Sequence, residues 1–89
     1  MTWRILISRD AKKFLEGDNF SIEEVNELIV KAIRRFQGED IAVDIKKLKG
    51  KWQGFYRVRS GKMRVIAEFN FEDSAVFIEE VDYRGNVYK

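Results

Sequence analysis

The 89-residue sequence predicts a single α+β domain, residues 1–89, with elements in the order β-α-α-β-β-β. Three patterns carry that prediction. Trp3, Ile5 and Ile7 alternate with Thr2, Arg4, Leu6 and Ser8, the period-two signature of a strand at the start of the chain. Further on, Val25, Leu28, Ile29, Ala32, Ile33 and Phe36 recur at the i, i+3, i+4, i+7 spacing of an amphipathic helix. From Phe55 onward, runs rich in aromatic and β-branched residues alternate again, broken by short turns of Ser, Gly, Glu and Asp, as consecutive antiparallel strands require.

After the first strand, Asp10 to Glu16 fit a short helix whose buried side is Ala11, Phe14 and Leu15. Gly17 ends it, and residues 17–19 make a tight connection. The long helix is the best-signalled element. Ser21 and Glu24 form a capping box, and Phe20 with Val25 occupy the flanking positions of a hydrophobic staple. Its apolar stripe is read as core packing, with Glu23, Glu27, Lys31 and Arg34 in water and Gly38 as the stop. Ile41, Val43 and Ile45 form a short edge segment or an extended connection.

Phe55 to Arg59 reads as a strand, Ser60 and Gly61 as a two-residue turn, and Lys62 to Phe71 as the strand that returns from it. Met63, Val65, Ala67, Phe69 and Phe71 then share one side, and Arg64, Ile66, Glu68 and Asn70 the other. Glu72 and Asp73 turn the chain into a last strand, Ser74 to Val81, with Val76 and Ile78 on one face and Ala75, Phe77 and Val81 on the other. Both faces of these strands carry apolar residues. That suits a sheet with helices on one side and an internal lining or a partner on the other.

Composition excludes several chemistries. There is no Cys, so disulfides and thiolate nucleophiles are out, and no His, which removes the usual neutral-pH base and the commonest metal ligand. Zinc hydrolase, Ser-His and Cys-His schemes are therefore excluded. No apolar run approaches the roughly 18 residues of a membrane span, and the N-terminus lacks a signal-peptide pattern. The expectation is a soluble cytoplasmic protein without a membrane partner.

Charge is the remaining clue. From Ile45 to Arg64 there are eight cations, Lys46, Lys47, Lys49, Lys51, Arg57, Arg59, Lys62 and Arg64, and no acid. The rest of the chain holds nine cations against fifteen acids. A cationic stripe on an otherwise acidic body is the footprint of a phosphate-binding surface. Arg57 and Arg59 share a strand face, and antiparallel pairing brings Arg64 beside them, so three guanidiniums can meet around phosphate oxygens. The lysines Lys46, Lys47, Lys49, Lys51 and Lys62 are read as RNA-binding groups acting mainly by electrostatic attraction.

Taken in order, Leu48-Lys49-Gly50, Gly54-Phe55-Tyr56-Arg57-Val58-Arg59, Ser60-Gly61, Arg64-Val65-Ile66 and Tyr83-Arg84 with Val87-Tyr88 resemble the RelE/ParE superfamily of bacterial and archaeal toxins over nearly the whole chain. The resemblance implies a microbial RNase-like fold: an antiparallel twisted sheet with an N-terminal strand, a helical hairpin packed on one face and a basic concave surface on the other. It also implies a metal-independent mRNA interferase with no cofactor, working in the ribosomal A site. There the ribose 2′-OH attacks its own 3′ phosphate, and a cognate antitoxin holds the toxin inactive.

On that resemblance the catalytic set is Arg64 at the phosphate, Arg84 near the leaving oxygen, Tyr88 stacked on or orienting the substrate, and Arg57 and Arg59 where RelE carries lysines. Those two either position the RNA backbone or take part in the chemistry. Met63 stands where Tyr is frequent and Tyr83 where His is frequent. Arginine is a poor general base, so the proton from the 2′-OH goes to Lys49, Lys51, Tyr88 or a ribosomal group. Two alternatives share the fold: a ParE-like gyrase inhibitor, and a catalytically weak homologue that only binds its antitoxin.

Overall fold

The computed structural model describes residues 3–17 and 21–83. Five strands form one sheet in the order β1-β5-β4-β3-β2, with β1 at Arg4–Ile7, β2 at Asp44–Lys47, β3 at Tyr56–Ser60, β4 at Met63–Asn70 and β5 at Ala75–Tyr83. Two helices, α1 (Arg9–Glu16) and α2 (Ile22–Phe36), cover one face. The α+β class and the helix-covered sheet are as expected from sequence. The strand order differs in two respects. The segment read as an edge strand or a connection around Ile41, Val43 and Ile45 is a strand, β2, set slightly later, which makes the order β-α-α-β-β-β-β, and β1 runs parallel to β5, so the sheet is mixed. The other three pairings, β2–β3, β3–β4 and β4–β5, are antiparallel. Three reversals after β2 fix the direction of β5, and the two-helix excursion between β1 and β2 lets β1 lie alongside it in the same sense.

Local chemistry explains the helix ends. Ser8 caps α1 by accepting from the Ala11 N–H, and its hydroxyl donates to the Glu79 carbonyl at 2.7 Å, which ties the helix start to β5. In α2 the capping box is complete: the Ser21 side chain accepts from the Glu24 N–H and the Glu24 carboxylate accepts from the Ser21 N–H. Ser21→Ala is expected to cost about 1 kcal/mol of stability, read as a lower urea midpoint at unchanged slope. At the other end Gly38 takes φ +98°, its N–H bonding the Arg35 carbonyl and that of Glu39 bonding Arg34. These are the two hydrogen bonds of a Schellman stop. Glu39 also pairs with Arg34 at 2.8 Å on the surface and raises the guanidinium's pKa further. The expected staple residue Phe20 and the connection at 18–19 lie outside the described residues.

The core lies between the helices and one sheet face. Ala11, Val25, Leu28, Ile29, Ala32 and Ile33 come from the helices, and Val58, Met63, Val65, Ala67, Val76, Ile78 and Val81 from the sheet. Near the C-terminal end of α2, Phe36 packs edge-on against Tyr56, Phe69 and Phe71, and Trp3 closes on Phe71. Val81 is a correction to the sequence expectation, which put it on the face away from Val76 and Ile78. Val65 pairs with Val81 and Ile66 with Glu80, but Ala67 pairs with Ile78. Glu79 is therefore an extra residue on β5, a bulge that resets the alternation and turns Val81 inward.

The β3–β4 turn is also one residue later than expected. Ser60 pairs with Met63, leaving Gly61 and Lys62 as the central residues, with Gly61 at φ +58°. Glycine at the first central position is the requirement of a type II′ hairpin turn.

Candidate nucleic-acid interface

On the sheet face away from the helices, the register sets charged side chains in rows. Arg59 pairs with Asp44 on one side and with Arg64 on the other, and Arg64 pairs with Asp82. This gives a row of acid, arginine, arginine, acid across four strands. Two residues along, Lys46 pairs with Arg57, Arg57 with Ile66, and Ile66 with Glu80. Arg57, Arg59 and Arg64 thus share one surface, with Lys46 at its edge. The alternation that buries Val58, Val65 and Val81 is what sends these residues outward.

Like charges directly opposite across a strand pair repel, so the Arg59–Arg64 pairing carries a cost. Carboxylates on both flanks offset it. Arg59 Nη2 lies 2.6 Å from Asp44 Oδ2, and Arg64 Nη2 donates to Asp82 Oδ2 at 3.0 Å. Arg64 and Asp82 are partly sheltered, with side chains 22% and 32% exposed, so this pair is screened less than a surface pair. Arg57 differs from both. Its Nε is buried and has no hydrogen-bond partner among the described residues. A buried donor left unmatched costs about 1–3 kcal/mol.

The other cations disperse. Lys47 is in register with Tyr56 and lines a groove on the helix side with Arg35, Phe36, Val43 and Ile45. Lys62, in the β3–β4 turn, lines a cleft with Glu24, Glu27 and Lys31 of α2, also on the helix side. Lys49 and Lys51 are exposed in the β2–β3 connection, where Gly50–Trp52 forms a single 3₁₀ turn and Trp52 stacks edge-on with Phe55. Arg84 and Tyr88 lie outside the described residues. The contiguous basic segment of the sequence therefore divides between two faces, and on the helix-free face it meets acids.

Sequence reasoning missed Asp44 and Asp82. Asp44 stands immediately before the acid-free window at Ile45, two residues from Lys46 and so on the same strand face. Asp82 falls just past the expected end of the last strand, which continues to Tyr83. Asp44 lies within the expected segment 41–45 but its pairing with Arg59 was not drawn, and extending the last strand by one residue would have included Asp82.

No protein-family model and no curated protein sequence matches the chain. Solved structures do. The RelB-RelE antitoxin-toxin complex from Methanococcus jannaschii is 25% identical, with a TM-score of 0.61 over 93% of this chain and 94% of that one. The archaeal RelE-RelB complex from Pyrococcus horikoshii is 26% identical, with a TM-score of 0.59 over 98% and 100%. The heterotetrameric YoeB-YefM toxin-antitoxin complex from Staphylococcus aureus is 25% identical, with a TM-score of 0.66 over 93% and 98%. The likeness spans both chains almost end to end in each case. Sheet, helical layer and motif order together make this chain a member of the RelE-like toxin superfamily.

Proposed function

We propose that the protein is the toxin of a type II toxin-antitoxin system, an endoribonuclease that cuts mRNA in the ribosomal A site and works in the cytoplasm under the control of a cognate antitoxin. The observation that supports this best is the convergence of Arg57, Arg59 and Arg64 on the helix-free face, with the Arg57 Nε unmatched among the described residues. The relatives RelE and YoeB, each crystallised with an antitoxin, support the toxin role and the partner. A ParE-like gyrase inhibitor draws no support from these relatives.

The chemistry follows from what the face offers. Attack of the 2′-oxygen on the adjacent phosphorus builds negative charge on the phosphoryl oxygens, and planar guanidiniums that never lose their charge stabilise it. Arg64, held against Asp82 at the centre of the sheet, is assigned that task. Arg57 supplies a further donor to the same phosphate, and Arg59 the neighbouring edge. The bond from phosphorus to the 5′-oxygen breaks as the 2′,3′-cyclic phosphate forms, and that oxygen takes up a proton to leave as the 5′-OH; Arg84 is assigned to the leaving oxygen and Tyr88 to stacking on or orienting the substrate. The arginines do not accept the 2′-OH proton. That task falls to Lys49, Lys51, Tyr88 or a ribosomal group.

Induction in a bacterial host tests the assignment. Growth should stop with the native sequence and resume with the folded double variant Arg64→Ala, Tyr88→Phe. Arrest undiminished in the double variant would contradict the nuclease assignment, and loss of supercoiling by purified gyrase would redirect it to the ParE-like alternative. Normal growth on strong induction of the folded native chain would leave only the antitoxin-binding homologue.

A further inference from the structure

The acid-arginine-arginine-acid row does more than support the catalytic assignment on which its reading rests. We propose that Asp44 and Asp82 are positioning residues that hold Arg59 and Arg64 for reaction at the expense of affinity for RNA.

The register makes the row a product of the fold. Asp44, Arg59, Arg64 and Asp82 occupy directly paired positions on four adjacent strands, and each carboxylate contacts the arginine on its inner side, at 2.6 and 3.0 Å. A guanidinium has five donors in a rigid fork, so one engaged by a carboxylate keeps others for a phosphate. Arginine side chains carry about 2 kcal/mol of rotamer entropy, and pinning one end before substrate arrives removes part of that cost from the reaction. The two carboxylates also cancel the charge of the two arginines they hold. With Glu68 and Glu80 on the same face, the surface is far less cationic than the sequence segment that builds it. Because non-specific binding to nucleic acid follows cationic charge, the row should weaken adherence to free RNA while leaving the guanidiniums aimed. A toxin built this way would depend on another platform, such as the ribosome, to present its phosphate.

Removing a carboxylate charge should then have opposite effects on binding and on chemistry. In Asp82→Asn and Asp44→Asn, fluorescence anisotropy with a 12-nucleotide single-stranded RNA should show affinity rising several-fold at low salt. The slope of log K against log salt should steepen by about 0.7 for each further phosphate neutralised. On programmed ribosomes kcat should fall about ten- to a hundredfold, since a small misplacement of a catalytic group costs that much. Side-chain NMR of arginine gives a readout that needs no activity: the Nε–Hε signals of Arg59 and Arg64 should be ordered in the native chain and averaged in the variant lacking the partner. Asp82→Glu should restore order and rate in part.

If the native protein cleaves nothing, the nuclease assignment fails, while the RNA-binding and NMR measurements still decide the role of the row. Unchanged arginine order, or RNA affinity unchanged or lower in both Asn variants, would overturn the proposal. Asp44 lies in the edge strand β2 and is 44% exposed, so its variant serves if Asp82→Asn fails to fold.

Discussion

Replacing Arg64 by alanine is expected to lower the rate of mRNA cleavage on translating ribosomes by about 10²–10³-fold, the loss found when one donor to a developing oxyanion is removed. The side chain projects from β4, the middle strand of the sheet, where β3 and β5 on either side fix the backbone. It is partly buried and held by Asp82, so the guanidinium is set in place before substrate binds. On the proposed role the effect should fall on kcat with little change in KM, because the charge assigned to Arg64 would appear only as the reaction proceeds. Arg64→Lys should recover little, since an ammonium cannot reproduce the planar fork. Removing Arg64 also takes away the ion pair it makes with Asp82, so the companion variant Arg64→Ala, Asp82→Asn separates loss of the donor from the effect of the carboxylate charge left on that face. Single-turnover kinetics on programmed ribosomes would measure each.

The second large effect is on stability. Ile29→Ala should cost about 2–5 kcal/mol, because a fully buried branched side chain leaves both lost contacts and a cavity. Ile29 is wholly inaccessible to solvent and lies in the middle of α2, where the helix meets the sheet. A domain of this size has about 5–15 kcal/mol in total, so the variant should melt about 10–25 °C lower. The neighbouring Val30→Ala provides the control. Val30 is 45% exposed, and its variant should stay within about 0.5 kcal/mol of the native protein. Thermal and urea denaturation followed by circular dichroism would give both values.

These two predictions rest on features of differing legibility. The α2 core stripe was readable because six apolar residues, five of them buried, keep helical spacing between a capping box and a glycine stop, all local signals. Grouping of Arg57, Arg59 and Arg64 was readable because alternation and one tight turn suffice to pair them. The strand β2 was legible only as one of two alternatives, an edge segment or an extended connection around Ile41, Val43 and Ile45. It is an edge strand of four residues in which Ile45 alone is partly buried, so its pairing with β3 leaves little hydrophobic trace. The parallel placement of β1 depends on residues about seventy positions apart in the chain, as the Ser8–Glu79 hydrogen bond illustrates. The bulge at Glu79 could not be inferred from a strict two-residue period.

At the site, a count of cations along the sequence overstated the positive charge of the face. Asp44 and Asp82 reach it through strand register, and Lys47 and Lys62 leave it for the same reason. Charge density in one dimension and on a folded surface are different quantities, and pleat and register convert one into the other. On the helix-free face Leu6, Ile66 and Phe77 add an apolar component between the charged rows, with Leu6 paired to Phe77. This bears out the sequence observation that the second face of the central strands is not purely polar.

On the proposed mechanism, guanidiniums from β3 and β4 act together on one phosphate of an mRNA held in the ribosome. Primer-extension mapping with end-group analysis, on ribosomes programmed with a defined A-site codon, tests it most directly. The native chain should cut within that codon and leave a 2′,3′-cyclic phosphate and a 5′-OH, and a folded variant carrying Arg57→Ala with Arg64→Ala should leave the message whole. Intact mRNA after incubation with the folded native protein, or the same ends at the same rate from the double variant, would contradict it.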